Sequence, residues 1–273
     1  MLFKNRLRIQ LLAALAQNPF LHNLLTGSIY QGGAKAVCTP GLNCYSCPAA
    51  AFACPIGALQ AGLADRRIRF PFYVIGFLLL LGALLGRLIC GFLCPFGLLS
   101  DLLYKIPFFK KIRSFPGDKL LRYLKYILLV VFVLLLPAFF MSAPAYCKFI
   151  CPQGTLQGGV LLLLADRVLW PLVGALYYWK LGLLIAVLLL SLLLYRPFCK
   201  YLCPLGAIYG LCNSFSLLRL RCDRESCTRC GACARACRMG VDPEKTPNHP
   251  ECIRCGDCVS ACPADALRAG LKQ

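Results

Sequence analysis

Histidine and acid are the scarce materials of this chain, and each scarcity excludes a class of chemistry. Of 273 residues only two are histidine, His22 and His249. Haem is therefore not expected, because its axial ligation draws largely on histidine. His249, between Asn248 and Pro250, reads as a loop residue. Asp and Glu number 11 against 30 Lys and Arg. Across residues 1–221 the acids are Asp65, Asp101, Asp118 and Asp166, set against 22 bases. An ion path through a bilayer needs buried acids, so pumping is not expected either. Asp166 reads as a partner of Arg167 or of a helix end. A cleavable leader is not evident: the basic Met1–Gln10 is followed by an apolar stretch broken by Gln17, Asn18, Pro19 and His22.

What the chain does have is apolar surface and cysteine, with 59% hydrophobic residues and 20 cysteines. A soluble domain of this length is rarely so apolar, which points to a bilayer. The formal charge of +19 points the same way and not to nucleic acid, because the bases cluster at the ends of apolar segments. Residues 222–273 are nearly neutral, with eight bases and seven acids. Phe72–Ile89, Lys125–Met141 and Leu181–Leu194 read as spans, the last extended by Tyr177, Tyr178, Trp179 and Tyr195 at interface depth. Gln10–Ile29 is long enough to cross but carries polar residues, and reads as a span or an interfacial segment. Residues 155–176 hold Asp166–Arg167 centrally. They read as a re-entrant or interfacial hairpin, with a full span around an internal ion pair as the alternative. Seven Lys and Arg from Lys105 to Lys125 place that loop in the cytoplasm. Cys90 and Cys94 then lie inside, Cys147 and Cys151 outside, and Cys199, Cys203 and the C-terminal part inside again. Arg66, Arg67 and Arg69 would fall outside, against the trend.

The cysteines stand in short regular spacings, which favours cluster or metal ligation over a disulfide framework. Cys227, Cys230, Cys233 and Cys237 form C-x2-C-x2-C-x3-C, and Cys252, Cys255, Cys258 and Cys262 repeat it. This is the two-cluster bacterial ferredoxin spacing, in which the fourth cysteine of each run serves the other cluster. It assigns Cys227, Cys230, Cys233 and Cys262 to one [4Fe–4S] cluster, and Cys252, Cys255, Cys258 and Cys237 to a second. Zinc is the weaker alternative, since its sites use paired CxxC units. Upstream, Cys90–Cys94, Cys147–Cys151 and Cys199–Cys203 each place two thiols four residues apart before a proline. On a helix end such a pair shares one face, and the proline is expected to stop the helix there. Cys90, Cys94, Cys199 and Cys203 form the natural inner set. Cys38, Cys44, Cys47 and Cys54 form an N-terminal box that holds a cluster alone or shares one with Cys147 and Cys151. One to three clusters are expected here beyond the two at the C-terminus. Cys212 and Cys222 match no spacing and read as non-ligands. Cys-Pro-x-Gly recurs at Cys54, Cys94, Cys151 and Cys203, and CPIGALQAG resembles CPQGTLQGG, so the chain reads as two similar halves.

The expected architecture is an α-helical membrane protein of about four transmembrane helices plus a re-entrant or interfacial segment. A small C-terminal α+β bacterial-type 2[4Fe–4S] ferredoxin domain follows. The parts are an N-terminal segment with its cysteine box (1–71), a transmembrane core (72–210) and the ferredoxin domain (211–273). GRLICGFLCPFGLLSDLLYKIP, RPFCKYLCPLGAIYG and the double C-terminal run resemble the NapH/NosR-type membrane polyferredoxins over roughly residues 70–265. The resemblance implies electron transfer between a membrane or extracytoplasmic redox partner and the cytoplasm. Larger proteins of that kind carry a flavin-binding domain, for which this chain has no room, so flavin is not expected. The expected setting is the cell (inner) membrane, multi-pass, with the ferredoxin domain cytoplasmic. Expected partners are the lipid bilayer, other redox subunits or a soluble electron carrier, and quinone. The chain reads as an electron-transfer subunit more than as a stand-alone enzyme. One alternative is a quinol dehydrogenase subunit with Asp101 as proton acceptor, against the plainer reading of Asp101 as a helix cap. Another is a redox factor for metal reduction or cofactor assembly. Arg196, Lys200, Arg219 and Arg221 are expected to raise the potential of a nearby cluster.

Overall fold

In a computed structural model, which describes residues 5–65, 71–107, 111–112 and 115–271, two helices are long and apolar enough to cross a membrane. They are Asp118–Phe140 and Ala175–Leu193. Two such helices suggest association with a membrane, and they replace the expected set of about four. Two of the expected spans fail for identifiable reasons. Phe72–Leu85 has 14 residues, about 21 Å of helix against a hydrocarbon core of roughly 30 Å. It stops at Gly86, in a left-handed backbone (φ 54°), because the next residue, Arg87, turns fully inside. The N-terminal stretch forms the helix Arg6–Gln17, whose polar face is the buried one. Gln10 Nε2 donates to the Gly91 carbonyl at 2.9 Å and Gln17 Nε2 to the Leu93 carbonyl at 2.7 Å. This helix packs on the first CxxxCP box and does not lie alone in lipid. Arg66, Arg67, Arg69, Lys110 and Arg113, on which part of the expected topology rests, lie outside the described residues.

Residues 152–165 are helical and end at Asp166, whose carboxylate accepts from Val168 N at 2.9 Å and starts the turn Arg167–Leu172. At the C-terminus, strand β1 (Leu218–Cys222) pairs antiparallel with β2 (Leu267–Leu271), Cys222 opposite Leu267. The short helices Ala232–Ala236 and Asp257–Ser260 lie between them in sequence. This segment is docked on the helices by buried charge. Glu251 takes Arg87 Nη1 at 2.7 Å on one carboxylate oxygen and Lys125 on the other, and both cations are fully buried. Asn213 donates to the carbonyls of His249 and Cys252 at 3.0 and 2.8 Å. Cysteines of every box join Val133, Phe198, Ile253 and their neighbours in one continuous core.

Candidate metal centres

The Cys-Pro-x-Gly repeat acquires a local reason. Each of its prolines opens a helix, at Pro55, Pro95, Pro152 and Pro204, with the preceding cysteine as the extended N-cap. Proline suits the first helical position, where no amide hydrogen is needed. So the preceding helix stops short of the second cysteine, and the proline starts the following helix with that cysteine as the cap of its start. The glycine amide two residues past the proline then faces the sulfur: Gly154 N donates to Cys151 Sγ and Gly206 N to Cys203 Sγ, both at 3.3 Å. A helix N-terminus and an amide donor both favour a thiolate there.

Cys90, Cys94, Cys199 and Cys203 are all buried and lie close enough for the charge on one to act on the others. Two arginines bracket them reciprocally. Arg87, three residues before Cys90, donates through Nη2 to the Cys199 carbonyl at 2.6 Å, while Arg196, three before Cys199, donates to the Cys90 carbonyl. The space a β-carbon on Gly97 or Gly206 would take is closed by those same guanidinium groups. Each arginine is held by one carboxylate shared with a second cation: Glu251 with Arg87 and Lys125, Asp101 with Arg196 and Arg6. Asp101 is thus neither a solvated cap nor a free base. Burial alone would raise its carboxyl, but Arg196, Arg6 and Gln10 outweigh that and hold it at about 2. Of the cations read from sequence, Arg196 alone bonds the thiol group's backbone. Lys200 is taken by Asp118 at 2.5 Å, and Arg219 and Arg221 bond carbonyls of the C-terminal segment. Arg87 was missed, although its place three residues before a CxxxCP repeats that of Arg196.

A second group lines a cavity of about 390 Å³: Cys44, Cys54, Cys147 and Cys151. Here the brackets are glutamines. Gln60 spans to the other half, donating to Cys147 Sγ at 3.4 Å and accepting from Tyr146 N at 2.8 Å. Gln157 spans back, accepting from Cys44 N at 2.8 Å. Both stand six residues after a cysteine in the repeated CPxGxLQ, the signal that marks them. Cys38 and Cys47 are buried beside this group but do not line the cavity. Asn43 and Gln153 line it and each keep a buried amide oxygen without a partner.

In the C-terminal segment Cys227, Cys230, Cys233 and Cys262 line one small cavity, as the spacing groups them, and Cys222 lines it too. Cys252, Cys255, Cys258 and Cys237 gather in the other set. Cys212 is buried against Gly82, where a β-carbon would stand 2.5 Å from its sulfur, a packing role. The groups abut through bare backbone. A β-carbon on Gly41, in the N-terminal box, would lie 2.9 Å from Cys94 Cα, and one on Gly91 would lie 2.5 Å from the Ile253 carbonyl oxygen.

Among the described residues no three His, Cys, Asp or Glu side chains are placed to hold a single metal ion. Two of the four groups line cavities instead. Burial pushes the Cys90 and Cys199 thiols up, to about 11 and about 12, so a bound cationic centre is what makes the thiolate form favourable at these two. Sets of four soft ligands around a cavity with orphaned polar atoms fit a [4Fe–4S] cluster.

The comparisons with known proteins decide the family. Residues 51–73, 70–116, 125–171 and 177–221 match the model of one 4Fe-4S binding domain family, and residues 247–268 that of another. The chain belongs to the NapH/NosR-type ferredoxin-like electron-transport proteins. It is similar to the methylamine utilization ferredoxin-type protein MauN of Methylorubrum extorquens, 34% identical over 66% of this chain and 55% of that one. It is 32% identical to an uncharacterized protein of Methanocaldococcus jannaschii over 60% of this chain and 63% of that one. With the regulatory protein NosR of Pseudomonas aeruginosa it shares 32% identity over 55% of this chain and 20% of that one. The chain thus spans less than two-thirds of the length of the curated relatives it matches. No solved structure matches it. The matches also complete the correction of the expected architecture. Iron–sulfur binding segments run through residues 51–221 of a mostly helical structure, in place of a core of about four transmembrane helices followed by a small ferredoxin domain.

Proposed function

We propose that this iron–sulfur electron-transfer protein works as a relay, with four [4Fe–4S] clusters in file. Cys44, Cys54, Cys147 and Cys151 hold the first, flanked by Cys38 and Cys47. Cys90, Cys94, Cys199 and Cys203 hold the second. Cys252, Cys255, Cys258 and Cys237 hold the third, and Cys227, Cys230, Cys233 and Cys262 the fourth. Ligands thus come from all three parts of the chain, 1–71, 72–210 and 211–273. A cluster supplies one-electron exchange when bound; the protein positions it, buries it and surrounds it with donors and charge. The observation that carries this reading is the pair of backbone approaches, Gly41 to Cys94 and Gly91 to Ile253, which brings the first three cysteine groups side by side in that order. Electrons then pass between a membrane or extracytoplasmic partner and the cytoplasmic side, with the basic segment around Lys105–Lys125 facing the cytoplasm at the inner membrane. Iron and sulfide analysis of anaerobically purified protein should give about 16 of each per chain. Iron sufficient only for the two C-terminal sets would refute the relay.

A second reading, a quinol dehydrogenase subunit, is favoured by one feature. A cleft of about 1100 Å³ opens beside the start of Asp118–Phe140, lined by Tyr123, Tyr126, His249 and Glu251 next to Cys252. Asp101, fixed between two arginines, does not line it. Bleaching of cluster absorbance by a reduced quinone analogue, lost in Tyr126→Ala, would support it.

A further inference from the structure

Five thiols line the cavity of the fourth site, one more than a cuboidal cluster takes: Cys222 beside Cys227, Cys230, Cys233 and Cys262. Cys222 does not reach it by chance of a loop. It ends β1 and is held in register against Leu267 of β2, packed with Leu220 and Leu267. Its side chain lines the cavity beside that of Cys227, the ligand that opens the run, close enough for the charge on one sulfur to act on the other. This site is also the one most open to solvent, since Cys230 is exposed. A cleft rimmed by Arg224, Arg229, Glu244 and Lys245 leads to Cys222 and Cys227. An exposed cluster is the one whose ligands are most easily lost to oxidation.

We propose that Cys222 is a reserve ligand of the fourth site, which takes the iron position of Cys227 when Cys227 is lost or released. The exchange is balanced without oxidant or reductant. The Cys222 thiol proton would pass to the neighbouring Cys227 Sγ, and a bond from Cys222 Sγ to iron would form as the Cys227 Sγ–iron bond breaks. The cluster keeps four thiolates and its electron count. The inference rests on the reading of these cysteines as cluster ligands, and the experiment separates the two.

Full-length Cys222→Ser, Cys227→Ser, Cys230→Ser and the double Cys222→Ser/Cys227→Ser are purified anaerobically, with iron, sulfide and the EPR spectrum of the reduced protein measured. Cys222→Ser should keep wild-type iron. Cys227→Ser should keep it too, with shifted g values, whereas the double variant and Cys230→Ser should each lose about four irons. Cys227→Ser as poor in iron as the double variant overturns the reserve role, as does loss of iron in Cys222→Ser alone. Wild-type iron in Cys230→Ser overturns the ligand reading beneath it. Iron retained at the other three sites controls for folding in every variant.

Discussion

The two cysteine groups of the helical part share a plan and differ in charge. In each, Cys-Pro-x-Gly caps a helix, and a long polar side chain from one half reaches across to the cysteine box of the other. Around Cys90, Cys94, Cys199 and Cys203 that side chain is arginine, Arg87 or Arg196, and each is tied to one carboxylate and a further cation. Around Cys44, Cys54, Cys147 and Cys151 it is a neutral glutamine, Gln60 or Gln157. Each arginine network has two cations to one carboxylate, so it presents a net positive charge to its thiols. The crossing contact therefore fixes geometry in both groups, while the choice of residue sets the electrostatics. A duplicated fold can hold two centres at different potentials by this one exchange.

The largest expected effect is on stability. Arg196→Met strips Asp101 of its bidentate partner, and breaking a buried ion pair costs about 3–5 kcal/mol. Gln157→Met leaves the part-buried Cys44 amide without its acceptor, at no more than about 1–3 kcal/mol. Denaturant unfolding of the anaerobic protein in detergent should rank them in that order; equal losses would break the comparison. Next comes potential. A unit charge at about 8 Å under an effective dielectric of about 20 is worth ~2 kcal/mol, or roughly 90 mV for a one-electron couple. Arg87→Gln should lower one EPR-resolved centre by up to that amount, and Gln60→Met should leave all centres nearly where they were. A smaller effect is on rate: Gly91→Ala drives a β-carbon toward the Ile253 carbonyl. It should slow passage of electrons into the C-terminal sites at unchanged iron content, as stopped-flow reduction would show.

Which thiols gather was legible in the sequence wherever spacing is local. The C-terminal runs sort into the two sets that their spacing implies, because tight turns leave little choice. Pairing across the halves was half legible: the CxxxCP boxes marked Cys90 with Cys199, but six cysteines competed for the other group and only the packed fold separates Cys38 and Cys47 from the cavity. Of the four brackets, Arg196 alone was read, and as a nearby charge, not as a crossing contact. Arg87 and Gln60 bond partners 112 and 87 positions away, and no periodicity reports a contact of that range. Span counting failed for a related reason. Hydropathy registers that Phe72–Leu85 is apolar, but not that Arg87 is drawn inside by Glu251 and ends the helix early.

The smallest expected effect is a pH slope that should be absent. Asp101 is held at about 2, below an ordinary carboxylate near ~4. A carboxylate lowered on folding contributes stability that is complete above its unfolded value and lost as pH falls through the folded one. Between pH 5 and 8 it therefore stays charged, Arg196 stays paired, and the charge that the Asp101 network presents to Cys90 and Cys199 is constant. The potential of the arginine-bracketed centre should then move by far less than the ~59 mV per pH unit of one proton per electron. Were Asp101 a proton acceptor in quinol oxidation, its proton would follow the electron and that slope would be present. A redox titration at pH 5.5, 6.5 and 7.5 decides between them. A full slope at this centre, missing from the glutamine-bracketed one, would show that the arginines deliver a titrating carboxylate and not a fixed charge.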